Sequence, residues 1–262
     1  MHTADIALNT NNVLLITGAG SGMGQMTAQR ALNEGWKVAA LDLNLEGLNK
    51  LGESESLLKI ALDVTDYDAV AQAVDRCEHE LGPITRLVNA AGIMPLGLVT
   101  EQPRELIMKI MAINYGGMIN IVDTALKKML ARGQGEFVSY ASMAGHWPIM
   151  YMGAYNAAKH AVVAFTEVLY HENRNAGVRI VCVCPPIVAT PLLKQAHESV
   201  WPKLFDVFPA LPPETVLDAI EKSLKKKSGL WIFPGPMTRM SWWLRRWLPG
   251  SVWNLVHFIE KR

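Results

Sequence analysis

Short apolar runs alternate with longer amphipathic stretches along most of the chain. The first run, Val13-Leu14-Leu15-Ile16, ends in Thr17-Gly18 and predicts a buried strand feeding a glycine-rich turn. Good helix formers fill residues 23–32, and Gly35 marks the stop. Val38-Ala39-Ala40-Leu41 is the second run and closes at Asp42. Further strands are predicted over residues 57–62, 86–89, 136–140, 178–184 and 230–233, with helices near 66–81, 114–130, 154–175 and 213–226. Strands alternating with helices predict an α/β fold whose parallel sheet is covered on both faces. No linker divides the chain before its C-terminal tail. The expected organisation is an N-terminal arm over 1–12, one doubly wound domain over 13–233, and an extension over 234–262 that is not a separate domain.

Composition narrows the function more than the fold. The 262 residues are enough for one large domain and short for two. Lysine plus arginine total 25 against 24 acids, a balance with no global pull toward nucleic acid. Cys77, Cys182 and Cys184 are too few and too ill-spaced for a disulfide framework or a zinc site, so no metal is expected and the thiols read as reduced core residues. The first dozen residues lack a basic-then-apolar leader pattern, and no apolar run reaches the roughly 18 residues of a spanning helix. The chain therefore reads as cytoplasmic.

The glycines fall as Thr17-Gly18-Ala19-Gly20-Ser21-Gly22-Met23-Gly24, between the first strand and the first helix. Glycine permits close backbone approach, and the helix N-terminus offers free N–H groups and a positive dipole end to a pyrophosphate. Gly18, Ser21, Gly22, Met23 and Gly24 are thus candidate dinucleotide contacts. Asp42 ends the second strand, 18 residues after Gly24. An acid there accepts from the adenosine ribose hydroxyls and repels a 2′-phosphate, which favours NAD over NADP. Asp63 and Val64 close the third strand toward the adenine, and Asn89-Ala90-Ala91-Gly92 ends the fourth with small residues on the adenosine side.

Tyr155 and Lys159 lie four residues apart in a helical stretch, on one face. A free tyrosine titrates near ~10, too high for efficient proton exchange at neutral pH. A neighbouring ammonium, together with oxidised nicotinamide, favours the phenolate. Ser142, just beyond the strand at 136–140, is placed to hold a substrate oxygen, and Asn114 to anchor a water between the lysine and solvent.

Taken together these segments resemble the short-chain dehydrogenase/reductase family over roughly residues 13–233. The matching residues are the glycine turn 17–24, Asn89-Ala-Ala-Gly92, Asn114, Ser142 thirteen residues before Tyr155, Tyr155-x-x-x-Lys159, and the strand end Pro185-Pro186-Ile187-Val188-Ala189-Thr190. The resemblance implies a Rossmann-type domain with a seven-stranded parallel sheet and an Asn114–Ser142–Tyr155–Lys159 tetrad. In that scheme Tyr155 is the acid/base, Ser142 orients the carbonyl or hydroxyl, Lys159 tunes the tyrosine and holds the ribose, and Asn114 supports a proton relay. It also implies that Val188 and Thr190 lie near the nicotinamide amide, and that the protein forms homodimers or homotetramers. Two positions depart from the family pattern: Ala90, where a second asparagine is usual, and Pro186, where glycine is usual. Proline fixes φ and removes an N–H, which stiffens or displaces the loop passing the nicotinamide.

The substrate side is apolar. Met94, Met143, Trp147 and Met152 are candidate pocket residues with Ser142, and the segment 192–211, carrying Leu192, Leu193, Trp201, Phe205 and Phe208, stands where the family has a mobile lid. With no arginine cluster to clamp a phosphate or carboxylate, the expected substrate is a hydrophobic secondary alcohol or its ketone: long-chain, steroid-like or otherwise lipid-derived. His146 is read as a packed loop residue without a role. Five of the eight tryptophans (Trp231, Trp242, Trp243, Trp247 and Trp253) fall in the last 32 residues, with Arg239, Arg245, Arg246, Lys261 and Arg262 among them. Such a segment suits peripheral contact with a membrane, packing between subunits, or a cover over the pocket. The leading expectation is an NAD-dependent oxidoreductase acting on CH–OH groups. The alternative is a catalytically silent NAD-binding sensor or scaffold on the same fold, against which the intact tetrad argues.

Overall fold

The computed structural model describes residues 12–193, 200–226 and 228–261. Most of the N-terminal arm (1–11), part of the expected lid (194–199) and Arg262 lie outside them. Seven strands form one parallel sheet: β1 (Val13–Thr17), β2 (Lys37–Asp42), β3 (Leu57–Ala61), β4 (Arg86–Asn89), β5 (Gly135–Tyr140), β6 (Val178–Val183) and β7 (Trp231–Ile232). Their spatial order is β3-β2-β1-β4-β5-β6-β7. Every residue of β1 and β4 is buried, as befits central strands covered by helices on both faces. The chain winds outward from β1 to β3, then returns to place β4 on the other side of β1. Ligands of such sheets bind at this reversal, beyond the carboxyl ends of the strands.

The helices are α1 (Gly22–Asn33), α2 (Leu45–Asn49), α3 (Tyr67–Glu80), a long run α4 over 104–132, α5 (Gly153–Glu172), α6 (Leu204–Val207), α7 (Pro213–Leu224), α8 (Pro236–Trp247) and α9 (Pro249–Glu260). Small residues let α1 lie close on the sheet: Gly24, Ala28 and Ala31 form its buried stripe. Asp66 caps α3 by accepting from the Ala69 N–H at 3.0 Å. Gly133, left-handed at φ 69°, ends α4. Fully buried aliphatics such as Leu14, Leu15, Ile16 and Leu41 hold the sheet's two faces, each contributing about 1.5–3 kcal/mol of burial.

The sequence-based bounds needed three corrections. The helix expected at 114–130 begins ten residues earlier, at Arg104, and contains two π-helical turns, Ala112–Gly116 and Val122–Leu126. Within it Gly117 packs closely on the chain after β3, where a Cβ would come within 2.7 Å of Val64 Cγ2. The short α2 carries too few residues to show a helical period. The last strand is only Trp231–Ile232 rather than 230–233.

Candidate active site

The turn after β1 is shaped by two close approaches. Gly18 has φ +73°, and a Cβ there would stand 2.7 Å from the Ala90 carbonyl carbon at the end of β4. A Cβ on Gly24 would overlap the Gly18 carbonyl, so only glycine lets α1 start directly on the turn. The bare backbone that results is one wall of a cavity of about 950 Å³, with Gly18, Ser21, Gly22, Met23 and Gly24 all lining it.

Asp42 lines the same cavity, and its carboxylate is fixed on both oxygens. Oδ2 accepts from the Gly20 N–H and Oδ1 from the Asn44 N–H, each at 2.8 Å. A carboxylate has about four acceptor sites, so it retains capacity for a ligand hydroxyl. Asp63 and Val64 line the wall beyond it. Asp63 Oδ1 accepts from the Thr65 N–H and hydroxyl, and the Val64 carbonyl accepts from Asn120 Nδ2 at 2.9 Å. Ala90, Ala91 and Gly92 complete this half. Asn89 does not lie in the wall: it is buried behind it, accepting from the Thr17 hydroxyl at 3.2 Å. That bond ties β4 to β1, and the small residues after Asn89 supply the surface.

Across the cavity stand Ser142, Tyr155 and Lys159. Ser142 follows β5 in extended conformation, and its hydroxyl accepts from the Ala144 N–H at 3.0 Å. Tyr155 and Lys159 sit one turn apart near the start of α5, with the Lys159 ammonium 5.7 Å from the centre of the Tyr155 ring. Lys159 Nζ donates to the Tyr140 carbonyl at 2.8 Å. Burial pushes the Tyr155 phenol up to about 12, while its hydrogen bond to Ser142 pulls the other way. Burial also brings Lys159 down to about 8. The Lys159 ammonium does not by itself lower the tyrosine; the expectation paired it with the charge of oxidised nicotinamide. In the free chain desolvation dominates, and the phenolate needs a further positive charge in the cavity.

Asn114 lies outside the cavity wall and is fully buried in the first π turn. Its side chain is spent on the chain after β4, accepting from the Ile93 N–H at 2.8 Å and donating to the Ile93 carbonyl at 2.9 Å. It acts on the site through that segment, whose Gly92 packs close to both Asn114 Oδ1 and Lys159 Nζ.

The rest of the cavity is apolar. Met94, Met143, Trp147 and Met152 line it, and Leu192 and Leu193 lie opposite. Phe205 and Phe208, from the described part of the expected lid, also reach it. The loop carrying Pro186 runs along the cavity and is pinned by a short bridge to Leu211, whose N–H donates to the Ile187 carbonyl at 2.8 Å. Val188 and Thr190 line the wall from this loop. His146 stays out of the chemistry: Trp231, Phe233 and Trp242 surround its ring, and burial lowers it to about 4, so it is neutral.

Sequence reasoning left the tail open between membrane contact, subunit packing and a cover over the pocket. Pro236, Met237, Thr238 and Ser241 of α8 line the cavity, so the tail forms part of the pocket. Trp242 on the same helix packs on Phe233 and His146, which docks α8 against β7 and the loop after Ser142. The tryptophan and arginine content signalled an amphipathic segment but not which surface its inner side would meet.

A family model described as short chain dehydrogenase matches residues 12–201. The chain belongs to that family. Among curated short-chain dehydrogenases, 2-(S)-hydroxypropyl-CoM dehydrogenase 3 of Xanthobacter autotrophicus is 37% identical over 186 residues, covering 69% of this chain and 72% of the relative. Mouse 17-beta-hydroxysteroid dehydrogenase 13 is 31% identical over 204 residues, covering 74% and 67%. The solved short chain dehydrogenase/reductase from Burkholderia phymatum in complex with NAD superposes with a TM-score of 0.80 at 26% identity, covering 90% of this chain and 93% of that one. This short-chain dehydrogenase is thus an oxidoreductase of the kind that interconverts alcohols and ketones with a nicotinamide dinucleotide. Neighbours of the fold were solved with NAD and with NADP. The site fits such a cofactor, with a backbone cradle that a Cβ would fill and a fixed acid at the end of β2.

Proposed function

We propose that this short-chain dehydrogenase uses NAD to interconvert a hydrophobic secondary alcohol and its ketone. One observation carries the reading: the Tyr155 phenol and the Ser142 hydroxyl line a single cavity that has the glycine turn on one side and an apolar wall on the other. The bound dinucleotide supplies the acceptor or donor of hydride. Gly18, Ser21, Gly22, Met23 and Gly24 would hold its pyrophosphate, and Asp42 its adenosine ribose. Asp42 favours NAD because a 2′-phosphate against a carboxylate fixed by two N–H groups meets a charge that has no room to turn away.

Tyr155 takes the proton from the alcohol oxygen in oxidation and returns it in reduction. Ser142 holds that oxygen by a hydrogen bond and keeps it against the phenol. Lys159, anchored on the Tyr140 carbonyl, contributes positive charge and would hold the nicotinamide ribose. Met94, Met143, Trp147, Met152 and Leu193 exclude water and bind an apolar body; no arginine lines the cavity, and its cations are Lys109 and Lys159.

The test is reduced-nicotinamide absorbance with NAD and a panel of secondary alcohols running from short and water-soluble to steroid-like. The reading expects turnover that improves with apolar bulk and a clear preference for NAD over NADP. Tight NAD binding with no turnover of any panel member contradicts it and points to a silent NAD-binding protein.

A further inference from the structure

We propose that the outer faces of α8 and α9 dock on an anionic phospholipid surface and set the mouth of the substrate cavity against it, so that an apolar alcohol enters from the lipid. The inference rests on the reading of the cavity as a site for a hydrophobic substrate.

The first observation is apolar exposure. On α8, Met237, Met240, Leu244 and Trp247 recur at three- and four-residue steps, which puts them on one side of the helix. They are 53%, 55%, 41% and 68% exposed, and Trp243 beside them is 47% exposed with its ring stacked on Trp247. On α9, Phe258 is 81% and Leu255 44% exposed. A set of large apolar side chains exposed together on two successive helices, unlike a lone one, marks an interaction surface.

Charge identifies the partner. Arg239, Arg245 and Arg246 flank the apolar side of α8, and Lys261 follows α9. The one acid in residues 234–261, Glu260, is buried and accepts from the Leu204 N–H at 3.1 Å. The exposed charge of this face is therefore all positive. A second copy packed on it about a two-fold axis would bring two sets of cations together with no acid to pair them. Anionic headgroups supply the missing charge, and tryptophan with arginine suits the headgroup boundary. No helix among the described residues is long and apolar enough to cross a membrane, so the geometry is that of a helix pair lying on the surface.

Continuity links this face to the site. Met237 is half exposed on the outer face and also lines the cavity, and Pro236, Thr238 and Ser241 extend the cavity wall along the same helix. Glu260 ties α9 to α6, whose Leu204 and Phe205 line the cavity from the other side. A lipid surface against α8 and α9 would therefore lie beside the opening.

The test is co-sedimentation of the full chain with vesicles of phosphatidylcholine alone and of phosphatidylcholine mixed with phosphatidylglycerol. The expected result is pelleting with the phosphatidylglycerol vesicles, weak pelleting with phosphatidylcholine alone, and release by salt. Trp247→Glu/Phe258→Glu, at two exposed positions away from the cavity, and separately Arg239→Gln/Arg246→Gln, each lower the partition roughly tenfold. Both leave NAD-linked turnover of a short water-soluble alcohol unchanged, which also shows that the variants fold. Full-length protein that stays in the supernatant with phosphatidylglycerol vesicles while turning over the soluble alcohol overturns the docking and leaves the catalytic reading intact. The docking is likewise overturned if Trp247→Glu/Phe258→Glu only converts a dimer to monomers on size exclusion, because the face then belongs to a second copy. Vesicle binding with no turnover of any alcohol supports the docking and overturns the reading of the cavity.

Discussion

Asp42 Oδ2 accepts from the backbone N–H of Gly20 at 2.8 Å, so the acid that ends β2 is fastened to the turn that follows β1. The approach is tight: a Cβ on Gly20 would lie 2.8 Å from Asp42 Cγ. Cofactor selection and the shape of the glycine turn are therefore one structural unit. Asp42→Ala removes the ribose acceptor and frees the turn. We expect KM for NAD to rise at least about tenfold, on the order of one charge-assisted hydrogen bond, and the NAD over NADP preference to shrink. Initial rates with both cofactors check this.

Gly24→Ala puts a methyl into the Gly18 carbonyl, backbone against backbone, where no flexible side chain can yield. The expected cost is about 1–3 kcal/mol of stability together with weakened NAD binding. Thermal unfolding with and without NAD reads both, and the NAD-induced rise in Tm should be smaller than in the wild type.

The buried Tyr155 phenol stands at about 12 in the free chain. Raising the pH toward 10 should therefore give no tyrosinate absorbance from this residue. Oxidised NAD brings positive charge into the cavity and lowers the value, so the wild-type minus Tyr155→Phe difference spectrum should gain a tyrosinate component at lower pH when NAD is added. Tyr140, also pushed up to about 12 by burial, is common to both proteins and cancels.

Lys159, lowered to about 8 from its usual 10.5, sets a pH dependence of stability. Between about 8 and 10.5 the unfolded chain holds this proton and the folded one has lost it, so this group's contribution to stability rises with pH through that window. Below 8 the buried ammonium is a standing cost. Lys159→Met should raise the Tm of the cofactor-free protein at pH 7, with the gain over wild type narrowing above pH 8, while turnover is lost.

Ser241 faces the cavity from α8, next to Met237. Ser241→Trp fills part of the apolar half, so KM should rise about tenfold or more for steroid-sized alcohols and little for short ones, with NAD binding unchanged. A uniform loss across substrate sizes would show instead that α8 had come away from β7.

The strands β1 and β2 were legible because each is an apolar run, closed by Thr17-Gly18 in one and by Asp42 in the other, and the ligand side begins at Gly18 and Asp42. The turn at 17–24 and the Tyr155/Lys159 spacing could be read for the same reason: backbone approach demands glycine, and one helical turn fixes the pair. Other features lay beyond sequence reasoning. The helix over 104–132 starts ten residues before its predicted bound and carries two π turns, which no local pattern reports. Asn89 and Asn114 have the chemistry of ligand contacts, but neither lines the cavity: Asn89 accepts from Thr17 and Asn114 is bonded to the Ile93 backbone. Tyr151 adopts φ 65°, rare for a residue with a Cβ, in the loop that leads into α5. Its carbonyl is held by the Gly97 N–H at 2.8 Å, a contact across more than fifty residues. The tail's place in the cavity wall was one of three readings the sequence left open, since amphipathic composition tells that a helix has two faces and not what each one meets.

The most direct test compares wild type with Tyr155→Phe for two quantities in the same preparation: NAD affinity by fluorescence quenching, and the initial rate of reduced-nicotinamide formation with a secondary alcohol the wild type oxidises. Loss of one hydroxyl should leave NAD affinity within about threefold while turnover falls by roughly 10²–10⁴, the range of a removed acid/base. Turnover in Tyr155→Phe within a few-fold of wild type would contradict the assignment of the phenol as the proton-transfer group.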